Sequence, residues 1–277
     1  MLVKFSTAAI ALVFTVTAWA TLPESAIPGG VVTVPVSETA SVSFDGKPVL
    51  KAQDNSGHWV AVVGVPLSAE KQIIVAVDGE EIHVPISHFA YEEQHIEIKE
   101  KRKVNPQKND MDRIGMEYGK MTPVYKSYSE ILTSDWADMI RPAQGPYSSA
   151  FGLKRFFNGQ ARKPHSGIDI AAPEGAPIIA PAGGKVVLTG DFFFNGNSVF
   201  IDHGQGLISM MCHMSRIDVK EGDVLKQGDL IGAVGKTGRA TGPHLHWTLS
   251  LNNARVNPKL FLTEERENAA KNTATAD

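Results

Sequence analysis

The apolar positions of this chain fall into short runs separated by turn-forming residues, and that pattern predicts β structure in two blocks. From about Ile27 to Ile98 the runs GGVVTVPV, WVAVVGVPL, KQIIVAVDG and EEIHVPIS are rich in Val and Ile and are bounded by Gly, Asp, Asn and Pro. Short strands with turn signals at this spacing suggest a small sandwich or barrel. From Pro142 onward PIIAPAGGKVVLTG, SVFIDHG, LISMMCHMS, DVLKQGDLIGAVG and HLHWTLSL repeat the pattern. Few windows there support a long helix, so antiparallel β with long functional loops is expected.

Between the blocks the charge run KEKRK, Lys99 to Lys103, is followed by Asn105-Pro106 and reads as a solvated boundary. Asn109 is expected to cap a helix in which Met111, Ile114 and Tyr118 recur at helical spacing, with Pro123 ending it. A second short helical stretch is expected from Tyr125 to Ala137. The predicted organisation is mainly β: an N-terminal small β-sandwich-like domain at 21–100, a short helical linker at 101–139, a C-terminal antiparallel β domain at 140–262, and a polar, frayed tail at 263–277.

Composition narrows the function classes. The 277 residues suffice for two ordinary domains, and an apolar content of 43% supplies a real core. A formal net charge of −3 offers no basic field for nucleic acid. The first twenty residues carry Lys4, an apolar run from Phe5 to Trp19, and the small-x-small ending Ala18-Trp19-Ala20 before Pro23 and Glu24. This is a secretory signal pattern, and the run falls short of the roughly 20 apolar residues that span a bilayer. Cleavage after Ala20 and a periplasmic or secreted destination are expected, with no stable membrane insertion afterwards. A single cysteine, Cys212, permits no internal disulfide, so an exported fold must rest on its core or on a metal.

Two histidine motifs in the second block carry the chemistry. In His244-Leu-His246, ahead of a strand-prone run, both imidazoles should project from one face, because strand side chains alternate. One metal could use them, or they could be the polar face of an edge strand. In His165-Ser-Gly-Ile-Asp169 the spacing of four would suit a helix, but Pro164, Gly167 and two β-branched neighbours argue against one. Along a straight strand the two side chains would sit roughly 13 Å apart, so a shared ion requires a bend, which Gly167 is able to supply. His165, Asp169 and one histidine of the triplet would offer two nitrogens and an oxygen to Zn²⁺ and leave a fourth place for water, as in catalytic rather than structural sites. His213 could join the remaining histidine as a non-ligand pair that moves a proton and steadies an oxyanion; alone it reads as a core histidine. Cys212, inside an apolar run with no adjacent base, is a poor nucleophile. His58, His83, His88 and His95 are scattered singly and are left out of the site.

These motifs resemble the lysostaphin/LytM-type zinc endopeptidases, whose marks are HxxxD and HxH in a β-rich domain. The likeness runs in order through Ser149-Ala-Phe-Gly152, His165-Ser-Gly-Ile-Asp-Ile170, Ala180-Pro-Ala-Gly-Gly184, Asp202-His-Gly204, His213-Met-Ser215, Gly228-Asp229 and Gly238 to His246. The departures, Met211-Cys212 before His213 and Met214 after it, remove no ligand. The resemblance implies that His165, Asp169 and His246 bind the metal, that His213 and His244 are the catalytic pair, and that His203 lies in a turn outside the site. The first block is similar, more loosely, to the N-terminal module of some Gram-negative exported members, a region that can cover the groove and restrain activity. The expected function is a zinc-dependent endopeptidase acting on peptidoglycan peptide stems, by extension from Gram-negative members at the D-alanyl–diaminopimelate cross-link. Phe192 to Asn195 and Arg155 to Asn158 could wall its groove. The alternatives are a non-enzymatic LytM-type regulator of cell-wall amidases, against which the intact ligand set speaks, and a secreted bacteriolytic protease.

Overall fold

A computed structural model describes residues 22–264. The expected signal peptide, 1–20, lies outside the described residues, as does the expected tail beyond Glu264.

The first block forms two small sheets. Val31–Pro35, Trp59–Gly64 and Leu50–Gln53 pair antiparallel with Trp59–Gly64 in the centre. Lys47–Pro48, Val42–Phe44, Gln72–Val77 and Glu80–Pro85 form the other, in that spatial order. Two of its hairpins turn on Asp-Gly pairs, Asp45-Gly46 and Asp78-Gly79, in which all four residues have positive φ, as a two-residue hairpin turn of matching twist requires. Val32, Val34, Ala61 and Val63 of the first sheet meet Val42, Phe44, Ile73 and Val75 of the second in one core. The intervening residues Val31, Leu50, Val60 and Val62 point the opposite way, into the core of the second block. Burial on both faces explains why WVAVVG is a continuous apolar run rather than an alternating one.

The second block is built on an eight-stranded sheet whose main path runs Val224–Leu225, Gly184–Phe192, Gly196–Gly204, Leu207–Met214, His244–Leu251, Ile168–Ala171, Tyr147–Ser149, with Ala254–Val256 also on His244–Leu251. Neighbouring strands are antiparallel. Along His244–Leu251 the period of two sends Leu245, Trp247, Leu249 and Leu251 into the core and leaves His244, His246, Thr248 and Ser250 on the opposite face. A three-stranded sheet of Pro177–Ile179, Leu230–Ala233 and Arg216–Ile217 contributes Ile178 and Ile231 to the same core.

The two blocks are joined in detail. Glu93–Ile96 pairs parallel with Lys154–Phe157, and the His95 ring stacks on Phe156 at 4.6 Å. Gly64 donates its backbone N–H to Asn252 Oδ1 (2.7 Å) and accepts from Asn252 Nδ2 (3.1 Å).

The helical segment departs from expectation. Helices α1 (Lys101–Val104) and α2 (Lys108–Tyr125) are present, but α2 is capped by Gln107, not Asn109, through a capping box with Asp110. The Asp110 carboxylate also pairs with Arg102, which fixes it at the third helical position. The buried stripe is Asp110, Ile114, Glu117, Met121 and Tyr125; Met111 and Tyr118 are exposed. Pro123 does not stop the helix, because in the last turn it forfeits a single backbone bond. No helix forms from Lys126 to Ala137, where backbone bonds tie Thr133 to His203 at the end of the strand Gly196–Gly204 and Ser129 to Gln205 in the turn after it. Nor is the KEKRK run wholly solvated, since Lys103 Nζ donates to Phe193 O (2.6 Å) and lies over the Phe193 ring. Rather than spanning open solvent, α2 lies on the histidine-bearing face of the sheet: Met121 and Tyr125 pack on Phe192, Phe200, Ile208, Met210 and Cys212.

Candidate metal centre and active site

Asp169 sits directly opposite His246 in the antiparallel pairing of Ile168–Ala171 with His244–Leu251, so their side chains share a face. His165 enters from the loop before that strand, its backbone anchored by His165 N–H to Leu153 O (2.9 Å) and Gly152 N–H to His165 O (2.8 Å). The result is a closed triangle of donor atoms. His165 Nε2 lies 3.0 Å from Asp169 Oδ1 and 3.0 Å from His246 Nδ1, and His246 Nδ1 lies 2.7 Å from Asp169 Oδ1. All three residues are buried.

Gly167 serves this approach, though not through unusual dihedrals: its φ is not in the left-handed region. A Cβ there would stand 2.4 Å from Trp247 O and 2.9 Å from the His246 ring. The requirement is for close packing against His246, which a side chain would prevent.

The outer nitrogens are engaged as a ligand set demands. The Ala150 carbonyl, 2.6 Å from His165 Nδ1, can accept but not donate, so that nitrogen carries the proton and Nε2 presents a lone pair. Thr248 Oγ1, 2.9 Å from His246 Nε2, can accept that nitrogen's hydrogen, the tautomer in which Nδ1 is left with a lone pair. Burial pushes the His246 pKa down to about 4, against the pull of Asp169, which keeps the ring neutral. Burial opposes ionisation of Asp169, yet its contacts with the two histidines hold the carboxyl well below the usual range. In those tautomers the three donor atoms would turn their lone pairs toward one point, the arrangement that a cation ligated by them requires.

His213 and His244 stand beside the cluster, their ring centroids 4.8 Å apart. His213 Nδ1–H donates to Thr237 O (2.8 Å) and His244 Nδ1–H to Gly242 O (2.8 Å), so each keeps an Nε2 lone pair. His244 Nε2 lies 4.0 Å from Asp169 Oδ1. Burial, then the neighbouring His244 and His246, push the His213 pKa down to about 3. His213 also has a φ of 63°, a left-handed conformation uncommon outside glycine, held by its N–H bond to Asn195 O (2.9 Å).

Around the cluster is a brace that the motifs did not reveal. Arg155 Nη2 donates to Asp169 Oδ2 (2.9 Å), which occupies one carboxylate oxygen and leaves Oδ1 to the histidines. Gln94 Oε1 accepts from Arg155 Nε (3.0 Å), and its Nε2 donates to Ser149 Oγ (3.0 Å), itself 3.2 Å from His165 Nδ1. Such outer partners orient ligands and tune the ion. The sequence marked Arg155 only as part of the aromatic segment Arg155 to Asn158 that could wall a groove, and Gln94 not at all.

The residues set aside lie outside the site. His203 lies in the strand Gly196–Gly204 rather than in a turn, and is fully buried, donating to Gly183 O (2.5 Å) and contacting Ser209 Oγ (2.8 Å), as a satisfied core histidine. Cys212 is buried, and burial pushes its thiol pKa well up, which suits packing rather than attack. His58, His83, His88 and His95 belong to the first block and take no part in the cluster.

The cluster opens into a cavity of about 770 Å³. Both aromatic segments contribute to its lining, through Phe192, Phe194 and Asn195 and through Arg155 and Phe157. So does α2, through Ile114, Glu117, Tyr118, Met121 and Tyr125.

Residues 163–258 match peptidase family M23, and residues 24–83 match the peptidase family M23 N-terminal domain. DD-carboxypeptidase/endopeptidase Mpg of Neisseria meningitidis serogroup B is 41% identical over 111 residues, 40% of this chain and 26% of that protein. Peptidoglycan DD-endopeptidase ShyC of Vibrio cholerae serotype O1 is 44% identical over 114 residues, again 40% of this chain and 26% of that protein. The chain therefore matches about a quarter of the length of these curated relatives. A crystal structure of a protein assigned to peptidase M23, from Pseudomonas aeruginosa, is similar with a TM-score of 0.73 and 41% identity, covering 87% of this chain and 96% of that one. Matched across nearly all of a solved relative, with the histidine and aspartate cluster inside the matched segment, the chain belongs to peptidase family M23.

Proposed function

We propose that this protein is an exported, zinc-dependent endopeptidase that hydrolyses peptide cross-links of bacterial peptidoglycan at the D-alanyl–diaminopimelate bond. The observation that carries the reading is the convergence of His165, Asp169 and His246 at a large groove, with His213 and His244 alongside. The substrate class and bond are supported by the names borne by the Neisseria and Vibrio relatives. Export is supported by the leader pattern of the first twenty residues.

His165 Nε2, Asp169 Oδ1 and His246 Nδ1 would hold the zinc; two imidazoles and a carboxylate with no thiolate suit that ion. When bound, zinc supplies a Lewis acid that makes water nucleophilic near neutral pH and polarises a carbonyl. The chain's own residues do the rest. Arg155 holds Asp169 by its second oxygen, and Ala150 O holds His165 in the ligating tautomer. The His213 and His244 pair accepts a proton at Nε2 as water attacks and donates from that position toward the developing oxyanion and the departing amine. The groove receives the peptide in an extended form between the aromatic segments.

The test is zinc quantification on purified protein, together with digestion of isolated sacculi and mass assignment of the released fragments. Wild type should carry about one zinc and release monomers cut at the cross-link, in keeping with a single three-donor site. His246→Ala should lose both metal and cleavage. Cleavage by metal-free protein would overturn the mechanism, and intact sacculi under zinc-loaded wild type would overturn the activity.

A further inference from the structure

The groove holds more positive charge than its walls neutralise. Arg155, Arg162, Lys163, Arg239 and Arg255 line it against the carboxylates of Glu117 and Asp169, in a chain whose formal net charge is −3. Both carboxylates are already engaged. Asp169 faces Arg155 and the two histidines, and Glu117 accepts from Arg113 Nε (2.6 Å) and from the Phe193 backbone N–H (2.8 Å). Of the cations, Arg255 lies over the Tyr125 ring at 3.5 Å and donates to Ser250 Oγ. Arg162 donates to the neutral oxygens of Ala161, Val104, Asn105 and Gln160.

Arg239 is held differently. Its guanidinium stacks on two rings, 4.4 Å from the centroid of Phe194 and 4.7 Å from that of Phe157. Among the described residues its side chain makes one hydrogen bond, a long 3.5 Å contact to Lys103 O, and no carboxylate pairs with it. The loop that carries it is fixed: Arg239 N–H donates to Phe194 O (2.8 Å), Asn197 N–H donates to Thr237 Oγ1 (3.0 Å), and Gly238, at φ +71°, packs so tightly that a Cβ would stand 2.4 Å from Gly196 N. Burial first, then the charges of Arg155 and Arg162, push the Arg239 pKa down to about 10, so the three guanidiniums feel one another. Like charges gathered in a partly buried place are unfavourable until an anion joins them. A guanidinium stacked by its faces keeps its in-plane N–H groups for a planar, two-oxygen acceptor.

We propose that Arg239, with Arg162 beside it, is the receptor for a free carboxylate of the substrate peptide, and thereby selects stems whose carboxylate next to the cut is not amidated. The inference rests on the peptide-hydrolase reading for the identity of the peptide; the acceptor chemistry follows from the groove itself. Arg239 touches no cluster atom, so its loss should raise KM far more than it lowers kcat.

Calorimetry on the full zinc-loaded chain tests this with one probe, a stem tetrapeptide L-Ala-γ-D-Glu-diaminopimelate-D-Ala, in its free-acid form and in forms amidated at each carboxylate in turn. Wild type should bind the form amidated at the free diaminopimelate carboxylate roughly tenfold more weakly than the free acid, in line with loss of a charge-assisted pair, and the other amidated forms like the free acid. Arg239→Gln should bind all forms alike and weakly, Arg239→Lys should recover part of the preference, and cooperative melting curves should show both variants folded at the assay temperature. Equal binding of all forms by wild type, a preference that survives in Arg239→Gln, or no binding of any form would overturn the proposal. Sacculus digestion with the same preparations separates the two readings. A carboxylate preference without cleavage would sink the endopeptidase reading alone, and cleavage without a carboxylate preference would sink the receptor alone.

Discussion

Gln94 accepts a hydrogen bond from Arg155 Nε at 3.0 Å across 61 positions of sequence, and Arg155 in turn holds the free oxygen of Asp169 at 2.9 Å. A strand from the first block thus supports the cluster in the second.

Replacing Gln94 with Ala should weaken zinc binding roughly tenfold, the lower end of what outer-shell losses cost, without unfolding the protein. Competition with a chromophoric chelator measures the affinity, and a melting curve checks the fold. Unchanged zinc affinity in a folded Gln94→Ala protein would dismiss the brace.

Gly167→Ala adds one methyl where Trp247 O and the His246 ring already close in at 2.4 and 2.9 Å. Overpacking of this kind costs about 1–3 kcal/mol. The denaturant midpoint should fall, and zinc stoichiometry should fall with it, because His246 is the group pushed aside. A Gly167→Ala protein with full zinc and native stability would contradict the steric account.

Removing residues 21–135 should not yield a freer, faster enzyme. Val31, Leu50, Val60 and Val62 reach into the second block's core, and Met121 and Tyr125 cover Phe200 and Met210. Each such side chain contributes about 1.5–3 kcal/mol when fully buried. The truncated chain is expected to be insoluble or to melt well below the full chain; a soluble, zinc-loaded and faster fragment would show that the segment restrains the site instead.

Acid should destabilise the fold through His203. Burial lowers its pKa below 6.5 in the folded chain, so below that pH the unfolded chain takes up a proton that the folded one refuses. Stability from this group is complete above about pH 6.5 and falls as pH drops, by at most about 1.4 kcal/mol per pH unit. His213 and His246 act in the same direction, so the His203 share is isolated by difference. Urea midpoints of wild type and His203→Gln at pH 7.5 and 5.5 should show a smaller acid-induced loss in the variant, which will also be weaker at pH 7.5 for want of two hydrogen bonds. Equal losses in the two proteins would refute the assignment.

What the sequence made legible was periodic or local. Alternation on HLHWTLSL put His244 and His246 on one face, and the GGVVTVPV and KQIIVAVDG runs marked strands that form. The spacing of His165 and Asp169 flagged a shared site but misjudged the part played by Gly167, because crowding by a strand 80 residues away leaves no local mark. Asn109 was the stronger cap by residue type, yet Gln107 caps α2, since Asp110 completes a reciprocal bond there and is fixed by Arg102. The buried stripe of α2 includes Asp110 and Glu117, polar residues that a search for apolar spacing passes over. Parallel pairing of Glu93–Ile96 with Lys154–Phe157 was invisible for a deeper reason: pairing partners are chosen by the assembled fold.

That parallel pairing also sets an order of events. Contacts spanning this much chain form late and slowly, and Gln94 leaves the ribosome well before the histidines it serves. A newly made molecule therefore carries its bracing strand in waiting, and acquires a well-ordered cluster only after the first block has met the second.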